Sequence, residues 1–264
     1  MNLQLGFTLL LCLVQLTSFA QDLMFKGGHS HNDYHQEYPL QTALENGMVS
    51  IEADVFMVGD QLLVGHEKKE LKAQNTLENL YLKPLFKEVQ QQGDHFQPII
   101  LLVDFKADGI NTYRLLKKIS QPYETMLSVY KDGLIEQRAV TIIISGDRPF
   151  EILKKEQHRY AFIDGNLNDL EQDVDAGLTP LLSADWNDYF KWNGVDDISD
   201  TELKQLQQFV VQCHQKNIML RFWGTPGEGE IAIIYWKLLS DAGVDLIGTD
   251  NPKEYNDFRK EYKK

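Results

Sequence analysis

The sequence is poor in cysteine and in positive charge. Only Cys12 and Cys213 occur among its 264 residues, and lysine and arginine number 26 against 39 aspartates and glutamates, a net charge of −13 at pH 7. A single cysteine beyond the first twenty residues cannot form a disulfide within the chain. An acidic surface argues against a nucleic-acid partner and against electrostatic binding to anionic membranes. We therefore expect neither a disulfide scaffold nor a nucleic-acid-binding protein.

Long apolar runs are lacking beyond residue 20, so we expect no stable membrane insertion. Residues 1–20 carry no charged side chain and end in Ser18-Phe19-Ala20, which matches a signal-peptide cleavage site. Their apolar centre, Leu5–Leu16, is short for a membrane span, although an uncleaved anchor is the alternative. The sequence predicts a signal peptide over 1–20, export to the periplasm or extracellular space, and one domain over 21–264.

Apolar runs with β-forming residues recur along the chain, and helical patterns separate most of them. The eight runs are 23–28, 49–56, 99–105, 139–145, 160–164, 178–183, 218–223 and 244–249. Helical spacing is found in 77–93, 110–120, 148–157, 201–217 and 230–243. This alternation predicts an α/β fold, a (β/α)8 TIM barrel. A hairpin return over 62–66 follows the second run.

Acidic residues cluster at the C-terminal ends of these runs, which form the active-site rim of a barrel. Glu52 and Asp54 are two residues apart and share one face of a strand, and Asp104 and Lys106 end the third run. Neighbouring buried carboxylates stay ionised most readily around a cation, and oxygen ligands suit Mg²⁺ or Ca²⁺. The pattern predicts one divalent cation held by Glu52, Asp54 and Asp104. Lys106 is expected to neutralise a carboxylate, to contact substrate, or both.

Two histidines accompany these carboxylates. His29 follows the first run and His66 follows the hairpin return. Histidine titrates near neutrality, so the two could act as general acid and general base on either side of a scissile bond. A metal flanked by two imidazoles indicates a metal-assisted hydrolase. His31 lacks a comparable placement next to the carboxylates.

The order of these motifs resembles the PLC-like phosphodiesterases: glycerophosphodiester phosphodiesterases, phosphatidylinositol-specific phospholipases C and spider sphingomyelinases D. The matching segments are HSHND (29–33), IEADV (51–55), VGHE (64–67), LLVDFK (101–106), RFWGTP (221–226) and LIGTDNPKEY (246–255). The similarity is closest to a bacterial and fungal branch that opens with HNDY. The usual His-Arg-Gly start is absent, so the arginine that would contact phosphate is missing at that position.

The resemblance implies a phosphoric diester hydrolase whose partner is a small-molecule phosphodiester, such as a glycerophosphodiester, or a phospholipid head group. It favours His29 over His31 as the catalytic histidine beside His66, and it implies the same three metal ligands. Asn32, Lys106 and Trp223 are the expected substrate-binding residues. The implied mechanism is attack by a hydroxyl of the substrate itself, which forms a cyclic phosphate and needs no Ser or Cys nucleophile.

Three other interpretations remain open from the sequence. His31 and Asp250 fit an amidohydrolase-like metalloenzyme, but the histidines that such a site needs after the fifth and sixth strands are missing, because none occurs between His158 and His214. A glycoside hydrolase could use rim acids with Trp186, Trp192 and Trp223. The third is a secreted binding protein that has lost its activity.

Overall fold

Eight parallel strands close into a barrel in the computed structural model, which describes residues 23–262. In chain order the strands are β1 (Gly27–Ser30), β2 (Ser50–Val58), β3 (Gln61–Val64), β4 (Ile99–Phe105), β5 (Val129–Lys131), β6 (Leu134–Glu136), β7 (Val140–Gly146), β8 (His158–Arg159), β9 (Ala161–Asn166), β10 (Leu181–Asp185), β11 (Met219–Trp223) and β12 (Leu246–Thr249). The α-helices are α1 (Gln41–Glu45), α2 (Lys83–Gln92), α3 (Gly109–Ser120), α4 (Phe150–Leu153), α5 (Trp186–Tyr189), α6 (Asp200–Gln215), α7 (Gly229–Ala242) and α8 (Pro252–Tyr262).

The barrel wall follows the order β1-β12-β11-β10-β9-β7-β4-β2, and β2 pairs back onto β1. Every pairing in this wall is parallel. All eight strands therefore end at the same rim, as the sequence predicts for a (β/α)8 barrel. Within residues 23–262, no helix is both long and apolar enough to cross a bilayer.

Alternating side chains of the strands face two different cores. Outward-facing residues such as Val103 and Ile142 pack with helix residues such as Leu116 and Leu206 in the larger apolar cluster. Inward-facing residues fill the amino end of the barrel: Leu23, Phe25, Ile100, Leu102, Ile143, Phe162, Leu181, Met219 and Leu246. The period-2 geometry of a strand separates the two sets. The barrel interior is thus closed at one end by apolar side chains.

The predicted hairpin after the second strand is present. β3 pairs antiparallel with the end of β2, with Val58 opposite Gln61 and Val55 opposite Val64. Gly59, in the two-residue turn, has φ 62°, which glycine adopts without strain. The return strand carries the chain back to the barrel rim, where the Gly65 N–H donates to the Asp54 carbonyl. This brings His66 close to Asp54.

Helix α6 illustrates why the predicted helices form where they do. The Ser199 side chain accepts a hydrogen bond from the Glu202 N–H and so caps the helix N-terminus. Leu206, Val210 and Cys213 share its buried face. Cys213 is therefore a core residue.

The structure corrects several boundaries. The first strand begins at Gly27 instead of residue 23, because Leu23 and Phe25 plug the bottom of the barrel. His29 consequently lies inside β1 and not after it. The predicted helix over 148–157 shrinks to Phe150–Leu153. A separate sheet of β6, β5 and β8, and helix α8, were not predicted.

Candidate active site

A cavity of about 410 Å³ opens at the carboxyl ends of the strands. Six of the eight residues predicted from the sequence line it: Asn32, Glu52, His66, Asp104, Lys106 and Trp223. The other two, His29 and Asp54, lie buried directly behind this lining. The structure therefore brings all eight predicted residues to one place.

The three predicted metal ligands converge on one point. Glu52, Asp54 and Asp104 each offer a carboxylate oxygen within 4.8 Å of the others. Their closeness follows from the register, because Asp54 of β2 lies opposite Asp104 of β4 in the parallel pair. Glu52 lies two residues before Asp54 and therefore faces the same side of β2.

Asp54 is the hub of this cluster and is fully buried. Its Oδ2 lies 2.8 Å from His66 Nδ1 and 2.7 Å from Lys106 Nζ, and it accepts a hydrogen bond of 2.9 Å from the Tyr34 hydroxyl. Its Oδ1 is buried with no hydrogen-bond partner among the described residues. A buried carboxylate oxygen without a partner is costly. A bound cation would satisfy it.

The pKa values of the acids in the cluster are shifted by burial and by the charges of their neighbours. Burial, and then the charges of Asp54 and Glu52, raise the pKa of Asp104 despite the opposing effect of Lys106. Burial also acts to raise the pKa of Glu52, but the Arg221 guanidinium and the His29 hydrogen bond hold it well below its usual range. The carboxylate oxygens of Glu52 and Asp104, together with Asp54 Oδ1, are the hard ligands that Mg²⁺ or Ca²⁺ prefers.

His29 is held behind the lining of the cavity by three groups. Its Nδ1 lies 2.7 Å from Ser50 Oγ, and its Nε2 lies 2.7 Å from both Glu52 Oε2 and Arg221 Nη1. Burial, and then the charge of Arg221, lower the pKa of His29 to about 4, so the ring is neutral at pH 7. A neutral ring has one N–H, so Nε2 either donates to Glu52 or accepts from Arg221.

The other two histidines at the rim are more exposed. The side chain of His66 is 53% exposed and its Nδ1 is engaged by Asp54, which leaves Nε2 for substrate. His31 lines the cavity, with Nδ1 2.7 Å from Asp250 Oδ1. Burial lowers the pKa of His31, but the hydrogen bond to Asp250 and the nearby carboxylates outweigh it and raise the pKa. His31 therefore has more cavity contact than its sequence context indicates.

The three predicted substrate-binding residues differ in the contacts that hold them. Asn32 lies against Tyr34, whose single hydroxyl hydrogen is shared between Asn32 Oδ1 at 2.7 Å and Asp54 Oδ2 at 2.9 Å. Lys106 lies between two carboxylates, with Nζ 2.7 Å from Asp54 Oδ2 and 3.2 Å from Asp104 Oδ1. Trp223 is 48% exposed at the rim. Asn32 and Lys106 are thus preorganised, whereas Trp223 offers an open aromatic surface.

The remaining tryptophans do not belong to the cavity. Trp186 is 1% exposed, stacks on Phe190 and meets Trp192 edge-on. Its indole N–H donates to the Trp192 carbonyl. These two rings pack against the core, which leaves Trp223, of the three tryptophans considered for a sugar-binding site, at the cavity.

Five further polar side chains line the cavity and were not among the predicted site residues. Arg221, Arg148, Asp164, Ser145 and Ser183 all line it. Arg221 could have been found, because it is the only charged residue in the apolar run 218–223 and it lies two residues before Trp223, on the same face of the strand.

A solved structure agrees with the fold. The crystal structure of a candidate glycerophosphodiester phosphodiesterase from Galdieria sulphuraria superposes with a TM-score of 0.56 and covers 90% of this chain and 99% of that one. The sequence identity is 13%, so this likeness concerns the fold alone.

Fungal relatives match most of the chain. The altered inheritance of mitochondria protein 6 homolog of Arthroderma benhamiae is 28% identical over 84% of this chain and 80% of its own length. The altered inheritance of mitochondria protein 6 of Saccharomyces cerevisiae is 29% identical over 84% of this chain and 68% of its own length.

The prediction of export is wrong. The relatives are fungal proteins named for the inheritance of mitochondria, which is a process inside the cell. The prediction depended on an apolar segment without the Lys or Arg usual near the start of a signal peptide, and apolarity alone does not determine destination. The predicted cleavage after Ala20 lies outside the described residues.

A family model matches more than half of the chain. Its two matched segments are 17–97 and 88–164, and they include His29, Glu52, Asp54, His66 and Asp104. The model describes an AIM6-like phosphodiesterase domain. The chain therefore belongs to the AIM6-like phosphodiesterase domain family, within the PLC-like phosphodiesterase superfamily.

Proposed function

We propose that this chain is a metal-dependent phosphoric diester hydrolase that acts on a small glycerophosphodiester or on a (lyso)phospholipid head group. The observation that carries the proposal is the arrangement around Asp54. One carboxylate of a three-acid cluster contacts both an exposed imidazole, His66, and an ammonium group, Lys106, at a cavity. This supplies metal ligands, a proton-transfer group and a cation within one site.

The proposed metal ligands are Glu52, Asp54 and Asp104, and the bound group is one Mg²⁺ or Ca²⁺. When bound, such an ion stabilises negative charge on a phosphate oxygen. The unpartnered Asp54 Oδ1 and the crowded Asp104 support this assignment. Lys106 already bridges two of these acids and keeps the site from carrying three uncompensated charges.

His29 and His66 are the proposed acid–base pair. Asp54 fixes the His66 ring through Nδ1, so Nε2 can give a proton to the leaving alkoxide or take one from the attacking hydroxyl. His29 would serve the opposite side through Nε2, which lies behind the cavity lining and would have to exchange its contact with Glu52 or Arg221 for one with the substrate. Attack by a hydroxyl of the substrate would form a cyclic phosphate, with the proximity advantage of an intramolecular reaction.

The proposed substrate class is based on the residues that line the cavity and on the family of the chain. Trp223 would cover an apolar part of the substrate, and Asn32 would hydrogen-bond a polar part near the phosphate. His31 is a second candidate for the first histidine, because it lines the cavity whereas His29 is 1% exposed. The fifth and sixth barrel strands place Asp164 and Ser183 at the cavity, so the described residues offer no histidine set for an amidohydrolase-like metal.

A hydrolysis assay tests the proposal. We expect the purified protein to cleave bis(p-nitrophenyl) phosphate or a glycerophosphodiester, to lose that activity in EDTA and to regain it with Mg²⁺ or Ca²⁺. Phosphorus NMR at early times should show a cyclic phosphate from the glycerophosphodiester.

Asp104→Asn should remove most of this activity, and Asp60→Asn is the matched control because Asp60 lies exposed in the hairpin turn. Full activity in metal-free buffer would refute the metal dependence. Absence of hydrolysis across glycerophosphodiesters and lysophospholipids would refute the activity.

A further inference from the structure

We propose that Arg221 holds a non-bridging oxygen of the substrate phosphate, on the wall of the cavity across from β4. This inference rests on the proposed phosphodiesterase function. In the eight-stranded wall, β11 lies four places from β4 in either direction. Arg221 Nη1 already contacts Glu52 of the carboxylate cluster, and a phosphate held beside Asp104 on β4 would meet Nη2 across the cavity.

The position of Arg221 follows from the alternation of β11. Met219 points into the apolar interior, Trp223 lines the cavity, and Arg221 lies between them on the same face. Arg221 is 5% exposed, yet it forms part of the cavity lining. Burial of a guanidinium is costly unless it is paired and hydrogen-bonded. Arg221 meets this condition through Glu52 and Ser183, so its positive charge is held in a fixed position at the cavity.

The hydrogen bonds of Arg221 are distributed unevenly over its three nitrogens. Nε donates to Ser183 Oγ at 3.0 Å, and Nη1 donates to Glu52 Oε2 at 3.1 Å and lies 2.7 Å from His29 Nε2. Nη2 has an ion-pair contact of 3.8 Å with Asp164 Oδ2, which is longer than a hydrogen bond. The contacts at Nε and Nη1 therefore fix the guanidinium plane, while Nη2 retains donor capacity for a ligand.

The other cations of the cavity are less suited to this role. Lys106 is engaged by Asp54 and Asp104. Arg148 is half-buried, and its Nη1 donates to the Asp164 carbonyl. The protein carries a net charge of −13, so an anionic substrate needs a local positive charge to bind. The planar guanidinium fork of Arg221 is fixed through Nε and Nη1 and so directs Nη2, whereas a lysine has no such plane to fix its direction.

Titration with inorganic phosphate, followed by phosphorus NMR in Mg²⁺ buffer, tests the inference without requiring turnover. We expect Arg221→Gln to weaken phosphate binding roughly 10- to 100-fold, as loss of a charge-assisted hydrogen bond does. Arg221→Lys should be intermediate, because it keeps the charge and loses the fork. Arg114→Gln is the matched control, since Arg114 lies exposed on α3, and it should bind phosphate like the wild type.

Circular dichroism must accompany each titration, because Arg221→Gln leaves Glu52 and Asp164 with less compensation. If that variant unfolds, the double variant Arg221→Gln/Asp164→Asn removes the buried partner charge and should fold but still bind phosphate weakly. Binding within twofold of wild type in a folded Arg221 variant would overturn the inference.

Parallel hydrolysis assays separate this inference from the proposed function. An inactive wild type that still binds phosphate through Arg221 would refute the phosphodiesterase activity and support the anion site. An active wild type whose folded Arg221 variants bind phosphate normally would support the activity and refute the anion site.

Discussion

The two ends of the barrel interior are built from the same strands but carry opposite chemistry. In β4, Leu102 faces the apolar amino end of the barrel interior, and Asp104, the next inward-facing residue, faces the cavity. β9 repeats the change with Phe162 and Asp164. In β10, Leu181 precedes Ser183, and in β11, Met219 precedes Arg221. In each of these four strands, two consecutive inward-facing residues differ in role. The first stabilises the fold, and the second can contact a ligand.

This division has an energetic reason. The apolar layer at the amino end contributes free energy of folding through burial and close packing. The charged layer above it contains buried acids and a buried guanidinium, which cost desolvation energy and are retained only where they serve a site. Changes at one end should therefore alter mainly stability, and changes at the other end mainly activity.

The largest effect is expected from the rim histidines. His66→Ala and His29→Ala should each lower kcat/KM roughly 10²–10⁴-fold, because the proposed role of each is to transfer a proton in the transition state. The double variant should lose less than the product of the two factors, since both serve one step. Steady-state kinetics and thermal unfolding of each variant provide the measurement.

His31→Ala is the control for this assignment. It removes a cavity-lining ring that is hydrogen-bonded to Asp250, and we expect a milder loss than at His29. If His31 proved essential and His29 dispensable, the catalytic role would belong to His31.

The next effect is on stability and arises at the opposite end. Leu102 is fully buried in the apolar cluster at the amino end of the barrel interior. Leu102→Ala should lower the free energy of unfolding by about 2–5 kcal/mol through lost burial and a residual cavity. Its kcat/KM, corrected for the folded fraction, should remain that of the wild type. A large loss of activity in fully folded Leu102→Ala would break the division between the two ends.

The smallest effect concerns the ion pair of His31 and Asp250 at the rim. The pKa of His31 is raised in the folded state, so the pair stabilises the protein below the unfolded pKa of about 6.5, and this stabilisation is lost as pH rises through the folded pKa. The side chains are 43% and 50% exposed. A double-mutant cycle should give a coupling of about 0.2–1 kcal/mol at pH 6 and less at pH 9. A coupling that grows with pH would contradict this.

Much of the fold and of the carboxylate cluster was predictable from the sequence because both depend on local patterns. Alternating apolar runs and helical spacing indicate the barrel, and the two-residue spacing of Glu52 and Asp54 places both on one face. The hairpin return that carries His66 depends on a Gly-Asp turn between two apolar strands. Each of these features is contained within a few consecutive residues.

Most of the features that the sequence did not predict depend on contacts between distant parts of the chain. Arg221 reaches Glu52 and His29 across 169 and 192 residues, and no local pattern encodes that meeting. The first strand was placed too early because Leu23 and Phe25 are apolar for a different reason, the closure of the barrel bottom. In contrast, the hairpin of β5 and β6 had a local signal, Asp132-Gly133, both with positive φ, that the sequence reading did not use.

The central claim is that the acids at the rim are arranged for a divalent cation, and thermal unfolding tests it most directly. A ligand that binds only the folded state raises the unfolding temperature. We expect Mg²⁺ or Ca²⁺ to raise that temperature for the metal-stripped wild type and for Asp60→Asn, but not for Asp54→Asn, which should remain folded without the ion. An equal shift in Asp54→Asn, or no shift in the wild type with either cation, would contradict the account.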